Sequence, residues 1–195
     1  MARAAVIFDL DGTLTEPYLD FDAIRAEIGI AGGPILEAIS QMGGPARRRA
    51  HEALLKHEWE AARNATLQDN AAEVVVACKE LGYLTAILTR NARAVAEHVI
   101  QRFGLRIDAL RTREDGVVKP SPEPVLALCE MLAADPRRSW VVGDYLFDLQ
   151  AGRGAGARTA LLIGAGEPPE FAGLADVLIR RLAELPEILE ECRHI

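Results

Sequence analysis

The chain has 195 residues, of which 50% are apolar and 26% charged, and its formal net charge is −7. That composition is ordinary for a folded globular protein; it excludes a fibrous repeat, a disordered chain and a pair of large domains, and leaves room for one domain with an insertion. The negative balance excludes a general nucleic-acid binder, because such affinity comes from clustered Lys and Arg that displace counterions.

Arg47-Arg48-Arg49 is the one basic cluster. Cys78, Cys129 and Cys192 are odd in number and widely spaced, so neither a disulfide framework nor a zinc site is expected. The apolar stretch Ala4–Phe8 is too short for a signal-peptide core and runs into Asp9 and Asp11, and no uncharged apolar run is long enough to span a bilayer. A cytoplasmic protein with no membrane partner is the expectation.

Short apolar segments alternate with amphipathic ones, the pattern of βα units around a parallel sheet. Ala4–Asp9 reads as the first strand. From about Thr15 to Leu67 the alternation stops and only helical patterns remain, punctuated by Gly29, Gly32-Gly33 and Gly43-Gly44. An all-helical insertion placed after a strand that ends in carboxylates is a candidate lid, since open α/β sheets bind ligands at the carboxyl edge. Helix Asp69–Leu81 and strand Tyr83–Thr89 follow, then helix Ala92–Phe103 and a strand at roughly Ile107–Arg111. Helix Pro122–Leu132, strand Ser139–Gly143, helix Asp144–Gly152 and strand Thr159–Ile163 continue the alternation. Asp176–Ile179 is a further candidate strand and Leu182–Glu191 a last helix. Gly82 and Gly104 stand where helix C-caps are expected.

Two strands end in paired acids. Phe8-Asp9-Leu10-Asp11-Gly12-Thr13-Leu14 places acids two residues apart, on one side of an extended chain, where they repel unless a cation lies between them. Hard oxygen ligands of this kind suit Mg²⁺. A calcium loop would need further acids and a Glu at its twelfth position, and Leu14, Thr15, Glu16 and Pro17 do not begin to supply them.

Val141-Val142-Gly143-Asp144 repeats the strand-to-acid pattern, with Asp148 one helical turn on if a helix starts at Asp144. Simple helix capping by Asp144 is the bland alternative. Thr89-Arg90-Asn91 puts a hydroxyl at a strand end just before a helix, where it and the helix amides can hold a phosphate oxygen, or where Asn91 simply caps. Lys119, beside Pro120, offers a compact cation for a carboxylate or phosphate. Gly12, Thr13, Arg90 and Asn91 flank these groups and are the expected substrate contacts.

In this order the motifs resemble those of the haloacid dehalogenase superfamily, over residues 9 to 148. Asp9-x-Asp11-Gly12-Thr13 is similar to its first motif, Thr89 to its second, Lys119 to its third and Gly143-Asp144-x-x-x-Asp148 to its fourth. The resemblance implies an α/β fold with a Rossmann-like parallel sheet flanked by helices. It also implies a core over 1–14 and 68–195 and a small helical cap of the C1 type over 15–67, in the manner of phosphoglycolate phosphatases. Two departures stand out. The insertion is shorter than the four-helix caps of those relatives, and Arg90 occupies a position where relatives often carry Gly or Asn.

By the same resemblance the chain is a phosphatase of a small phosphorylated metabolite, with Asp9 as nucleophile and Asp11 as general acid and base. Thr89 and Lys119 stabilise the transferring group. Mg²⁺ is held by Asp9, the Asp11 backbone carbonyl and Asp144, with Asp148 adding a direct or water-mediated contact. An acid at position 11 favours phosphotransfer over carbon–halogen cleavage, which needs no leaving-group proton. A phosphonate-cleaving relative needs a cap lysine, and Lys56, the only lysine of the insertion, reads as helix surface. A sugar phosphomutase shares every core motif and is the principal rival; a non-catalytic binding protein would be expected to lack an essential acid. His51, His57, His98 and His194 form no ligand spacing, and Trp59 and Trp140 read as packing residues.

Overall fold

The computed structural model describes residues 3–192, so His194 lies outside the described residues. Within that range the chain divides into two compact units, one formed by residues 3–17 and 66–192 and the other by Tyr18–Ala65.

The larger unit is built on a six-stranded sheet in the order β3-β2-β1-β4-β5-β6, parallel throughout. The strands are β1 (Ala5–Phe8), β2 (Leu84–Leu88), β3 (Ala109–Arg111), β4 (Trp140–Gly143), β5 (Arg158–Leu162) and β6 (Val177–Ile179). Every residue of β1 and β4 is buried, as expected of central parallel strands covered on both faces. Ala5 and Ile7 of β1 pack in one apolar cluster with Val125, Leu128 and Cys129 of α6 (Glu123–Met131) and Ala151 of α7 (Leu146–Gly154). Val6 and Phe8 alternate to the other face. There α4 (Ala71–Glu80) packs on β2 and against α8 (Leu185–Glu191). The remaining helix of this unit is α5 (Arg93–Phe103). Among the described residues no helix is long and apolar enough to cross a membrane.

The predicted strands all form, five of them trimmed by one or two residues at one or both ends and β5 shifted one residue towards the N-terminus. At β3 the reason is visible. Asp108, predicted to lie inside the strand, turns its carboxylate back to accept from the Thr85 amide at 2.8 Å and the Thr85 hydroxyl at 3.1 Å. The last helix also differs: its first turn, Leu182–Glu184, is wound as a 3₁₀ turn before α8. Cys78 and Cys129 are buried and their thiols are pushed up, that of Cys78 to about 12, chiefly by desolvation, so both stay protonated.

The smaller unit is three helices, α1 (Phe21–Ile28), α2 (Ile35–Gln41) and α3 (Gly44–Asn64). Asp20 caps α1 by accepting from the Asp22 and Ala23 amides, and Gly29 ends it in a left-handed conformation with φ 76°. Ile24, Ile35, Ile39, Ala50 and Leu54 form its core. His57 on α3 lies 2.7 Å from Glu27 on α1, a helix-to-helix tie. Arg47, Arg48 and Arg49 in the first turns of α3 are all exposed.

Candidate active site

Strands β1 and β4 are neighbours at the centre of the sheet, so the residues that follow them meet at its carboxyl edge. The Asp9 amide donates to the Val142 carbonyl at 2.9 Å, which carries the ladder one residue beyond β1. The chain then winds around a single acceptor: the Leu14 and Thr15 amides both reach the Leu10 carbonyl at 3.0 Å, and the Thr15 hydroxyl joins them at 3.2 Å. This turn needs glycine at position 12. Its φ is 87°, and a Cβ there would lie 2.5 Å from Oδ2 of Asp144.

Asp144 follows β4, but it does not open the next helix. Helix α7 begins at Leu146 with an extended Tyr145 before it, so the expected helical stacking of Asp144 and Asp148 is corrected. Asp144 lies on the strand-to-helix connection and accepts from the Thr13 hydroxyl at 2.9 Å, while Asp148 lies in the first turn of α7 and accepts from the Tyr145 amide at 3.2 Å. Gly143 makes room for this. A Cβ on Gly143 would fall 2.2 Å from Cγ of Asp148.

Carboxylate oxygens of Asp9, Asp144 and Asp148 all lie within 4.8 Å of one another. The Lys119 ammonium, 3% exposed, sits 2.7 Å from Oδ1 of Asp9 and donates at 2.7 Å to Oδ1 of Asp148. Asp9 and Asp148 thus share one cation, while Asp144 beside them is met by Thr13. Burial, reinforced by the charge of Asp9, pushes Asp144 up to about 6. Asp148 is pushed up to about 7, again by burial first, against the attraction of Lys119. Burial would lower the Lys119 ammonium, but the charges of Asp148 and Asp9 outweigh it and raise its value. Oxygen donors buried at Asp148 and half-buried at Asp9 and Asp144, two of which resist ionising, match the chemistry of a small divalent cation, which would draw Asp144 and Asp148 back to their charged form.

Asp11 stands apart from that cluster. Its Oδ2 accepts from the Asn91 side-chain amide at 3.1 Å. Asn91 therefore does not cap α5; its Oδ1 takes the Ala92 amide at 2.7 Å, and the Arg93 amide is held by Glu114 at 3.0 Å. The Thr89 hydroxyl, buried, accepts from the Asn91 amide at 3.0 Å. The amides of Asn91, Ala92 and Arg93 that lead into α5 are thus bonded within the protein. Arg90 donates through Nη1 to the Lys119 carbonyl and its guanidinium carbon lies 4.9 Å from the Phe147 ring centroid. The expected substrate contacts therefore each meet another residue of this edge: Gly12 and Thr13 meet Asp144, Asn91 meets Asp11, and Arg90 meets Lys119.

Sequence reading missed three supporting groups. Gln68 donates to the Gly12 carbonyl at 3.4 Å, Glu114 caps α5 from the turn after β3, and Phe147 carries Arg90. Only Phe147, inside the fourth motif, was marked by its position.

Residues 4–156 match the model of the haloacid dehalogenase-like hydrolase family. The chain is 31% identical to an N-acetylmuramic acid 6-phosphate phosphatase of Pseudomonas aeruginosa, over 97% of this chain and 96% of that one. It is 28% identical to a phosphoglycolate phosphatase of Cupriavidus necator, over 97% and 94%. A solved hydrolase from Pseudomonas syringae shares the fold with a TM-score of 0.81 at 20% identity, covering 97% of this chain and 99% of that one. With the family model spanning most of the chain and related phosphatases matching nearly end to end, this chain belongs to the haloacid dehalogenase-like hydrolases, as a phosphoric monoester hydrolase of that family.

Proposed function

We propose that the chain is a Mg²⁺-dependent phosphatase that hydrolyses a small phosphorylated metabolite through an aspartyl-phosphate on Asp9. The observation that carries this reading is the division of the four acids. Asp9, Asp144 and Asp148 cluster together, with Lys119 bracing Asp9 and Asp148, whereas Asp11 is turned to Asn91. Asp9 attacks phosphorus, the bond to the leaving alcohol breaks, and Asp11 gives that oxygen its proton. Asp11 then takes a proton from the water that attacks the acyl phosphate, which frees inorganic phosphate and restores Asp9. Lys119 holds Asp9 in place and offsets charge on the transferring group. Asp9, Asp144, Asp148 and the Asp11 carbonyl would hold Mg²⁺, which would supply positive charge to ease the approach of a carboxylate to a phosphate dianion.

The names of both relatives describe substrates that are acids as well as phosphate esters. A carboxylated phosphate monoester is accordingly the first substrate class to screen. The test is phosphate release from a panel of such esters and from an aryl phosphate, with no bisphosphate activator present, which separates hydrolysis from phosphomutase chemistry. Release with Mg²⁺, weak activity with Ca²⁺ and none in excess EDTA are expected, because Mg²⁺ enforces a tighter coordination shell than Ca²⁺. Asp9→Asn is expected to remain folded and to lose turnover. Full activity in EDTA, or more than a few per cent of wild-type kcat in Asp9→Asn, would overturn the mechanism.

A further inference from the structure

Arg90 is half-buried in the connection that follows β2. Two contacts of its guanidinium converge from different parts of the chain. One is the hydrogen bond from Nη1 to the Lys119 carbonyl, and the other is the 4.9 Å approach to the ring of Phe147. Arg113 in turn donates through Nη1 to the Arg90 carbonyl at 3.3 Å, which fixes the main chain that bears it. Lys119 and Phe147 both matter to the acid cluster. The Lys119 ammonium braces Asp9 and Asp148, and Phe147 immediately precedes Asp148 in the first turn of α7.

A lysine reaches its partners on a flexible four-carbon stem, so its ammonium is placed only as well as its backbone is held. Arginine suits that task here. Its planar fork can bond a carbonyl at one edge while its face lies on an aromatic ring. We propose that Arg90 is a positioning residue, which sets the place of Lys119 through its carbonyl and of Asp148 through Phe147, and that it does not itself grip the substrate. The kinetic consequences rest on the phosphatase reading given above; the geometric consequence does not.

The lysines of the chain are Lys56, Lys79 and Lys119, so protein labelled with ¹³C at lysine Cε gives a spectrum in which Lys119 can be followed directly. Lys119→Arg assigns its signal. Arg90→Met is expected to shift the Lys119 signal and leave those of Lys56 and Lys79 in place, and Arg90→Lys to shift it less. In steady-state kinetics with an aryl phosphate, Arg90→Met is expected to lower kcat by about 10- to 100-fold, as loss of alignment does. KM is expected to hold within about twofold, since binding is not the interaction removed. Arg90→Lys is expected to recover part of kcat.

A rise in KM with kcat and the Lys119 signal unchanged would overturn the proposal and make Arg90 a substrate clamp. Movement of all the lysine signals together would also overturn it, since it would mark a general structural role. If the wild-type protein released no phosphate, the phosphatase reading would fail, while the lysine spectrum would still decide the position of Lys119.

Discussion

Asp9 and Asp11 are chemically identical and two residues apart, and their neighbours give them different proposed work. Asp9 is bonded by the Leu10 amide and faces the Lys119 ammonium, whereas Asp11 is met by the neutral amide of Asn91. An acid braced by an ammonium is positioned to attack, as a nucleophile needs, and one placed away from that ammonium is available for proton transfer to the leaving group. Asp11→Asn is therefore expected to slow turnover by about 10²–10⁴-fold for an alkyl phosphate, the usual effect of losing a general acid. The loss should be smaller for an aryl phosphate whose alcohol leaves without help, and equal losses on the two substrates would contradict the role. Gly143 is a second test at this scale. Asp148 is fixed by Lys119 on one oxygen and by the Tyr145 amide on the other, so it cannot yield to a Cβ 2.2 Å from its Cγ. Gly143→Ala should lower the melting temperature and, by displacing the carboxylate on the order of 1 Å, lower kcat by about 10²-fold. A variant with wild-type values in both would show that Asp148 has room to move.

The strands were legible because each is a short apolar run bounded by turn residues, and the acids were legible because they follow two of those runs directly. What tied the acids together was not. The bond from Asn91 to Asp11 spans 80 positions and that from Arg90 to Lys119 spans 29, so no local spacing announces either. The start of α7 was misplaced for a related reason, since Asp144 is a good helix cap in isolation but spends its carboxylate on Thr13. The sheet edges carry a device of the same non-local kind. Asp108, just before β3, accepts from the amide and hydroxyl of Thr85 in β2 and from Lys79. Asp176, just before β6, accepts from the amide and hydroxyl of Thr159 in β5 at 2.7 and 2.9 Å. Each aspartate pins an outer strand in register on its inner neighbour. Asp108→Ala and Asp176→Ala are each expected to cost about 1–3 kcal/mol in denaturant unfolding. The double variant should be additive within about 0.5 kcal/mol, because the two sites share no partner. Full independence from either substitution would show the pins to be idle. Burial disfavours the charged form of Asp108, but the bonds from Lys79 and Thr85 more than offset that, and its pKa lies below the ordinary carboxylate range. The sign follows from the protons bound: the folded state releases its proton more readily, so the contribution is whole above the ordinary pKa and is lost as pH falls through the folded one. The gap in stability between wild type and Asp108→Ala should therefore close in acid.

At the scale of the whole molecule, every residue of the proposed chemistry belongs to the larger unit, and the chain leaves and re-enters that unit at one place. Thr15 pairs with Leu67 in an antiparallel bridge, the Glu16 amide donates to the Thr66 carbonyl at 2.9 Å, and the Gln68 amide donates to the Leu14 carbonyl at 3.0 Å. The two ends of the insertion are thus already joined as a short ribbon, the geometry that a tight turn closes. Replacing residues 18–65 with a short Asn-Gly turn should leave the sheet and the acid cluster standing, since the removed helices have their own core in Ile24, Ile35, Ile39, Ala50 and Leu54. The excised segment alone should not fold stably, being near the size at which a single small core fails to offset chain entropy. We expect the shortened protein to unfold in one cooperative transition and to keep Mg²⁺-dependent hydrolysis of an aryl phosphate. We also expect it to lose discrimination between that compound and a carboxylated phosphate ester. The ratio of kcat/KM for the two substrates, before and after excision, measures what the helical unit contributes to selectivity. An unchanged ratio would place selectivity in the core, and failure of the shortened chain to fold would show that the larger unit depends on the smaller for its stability.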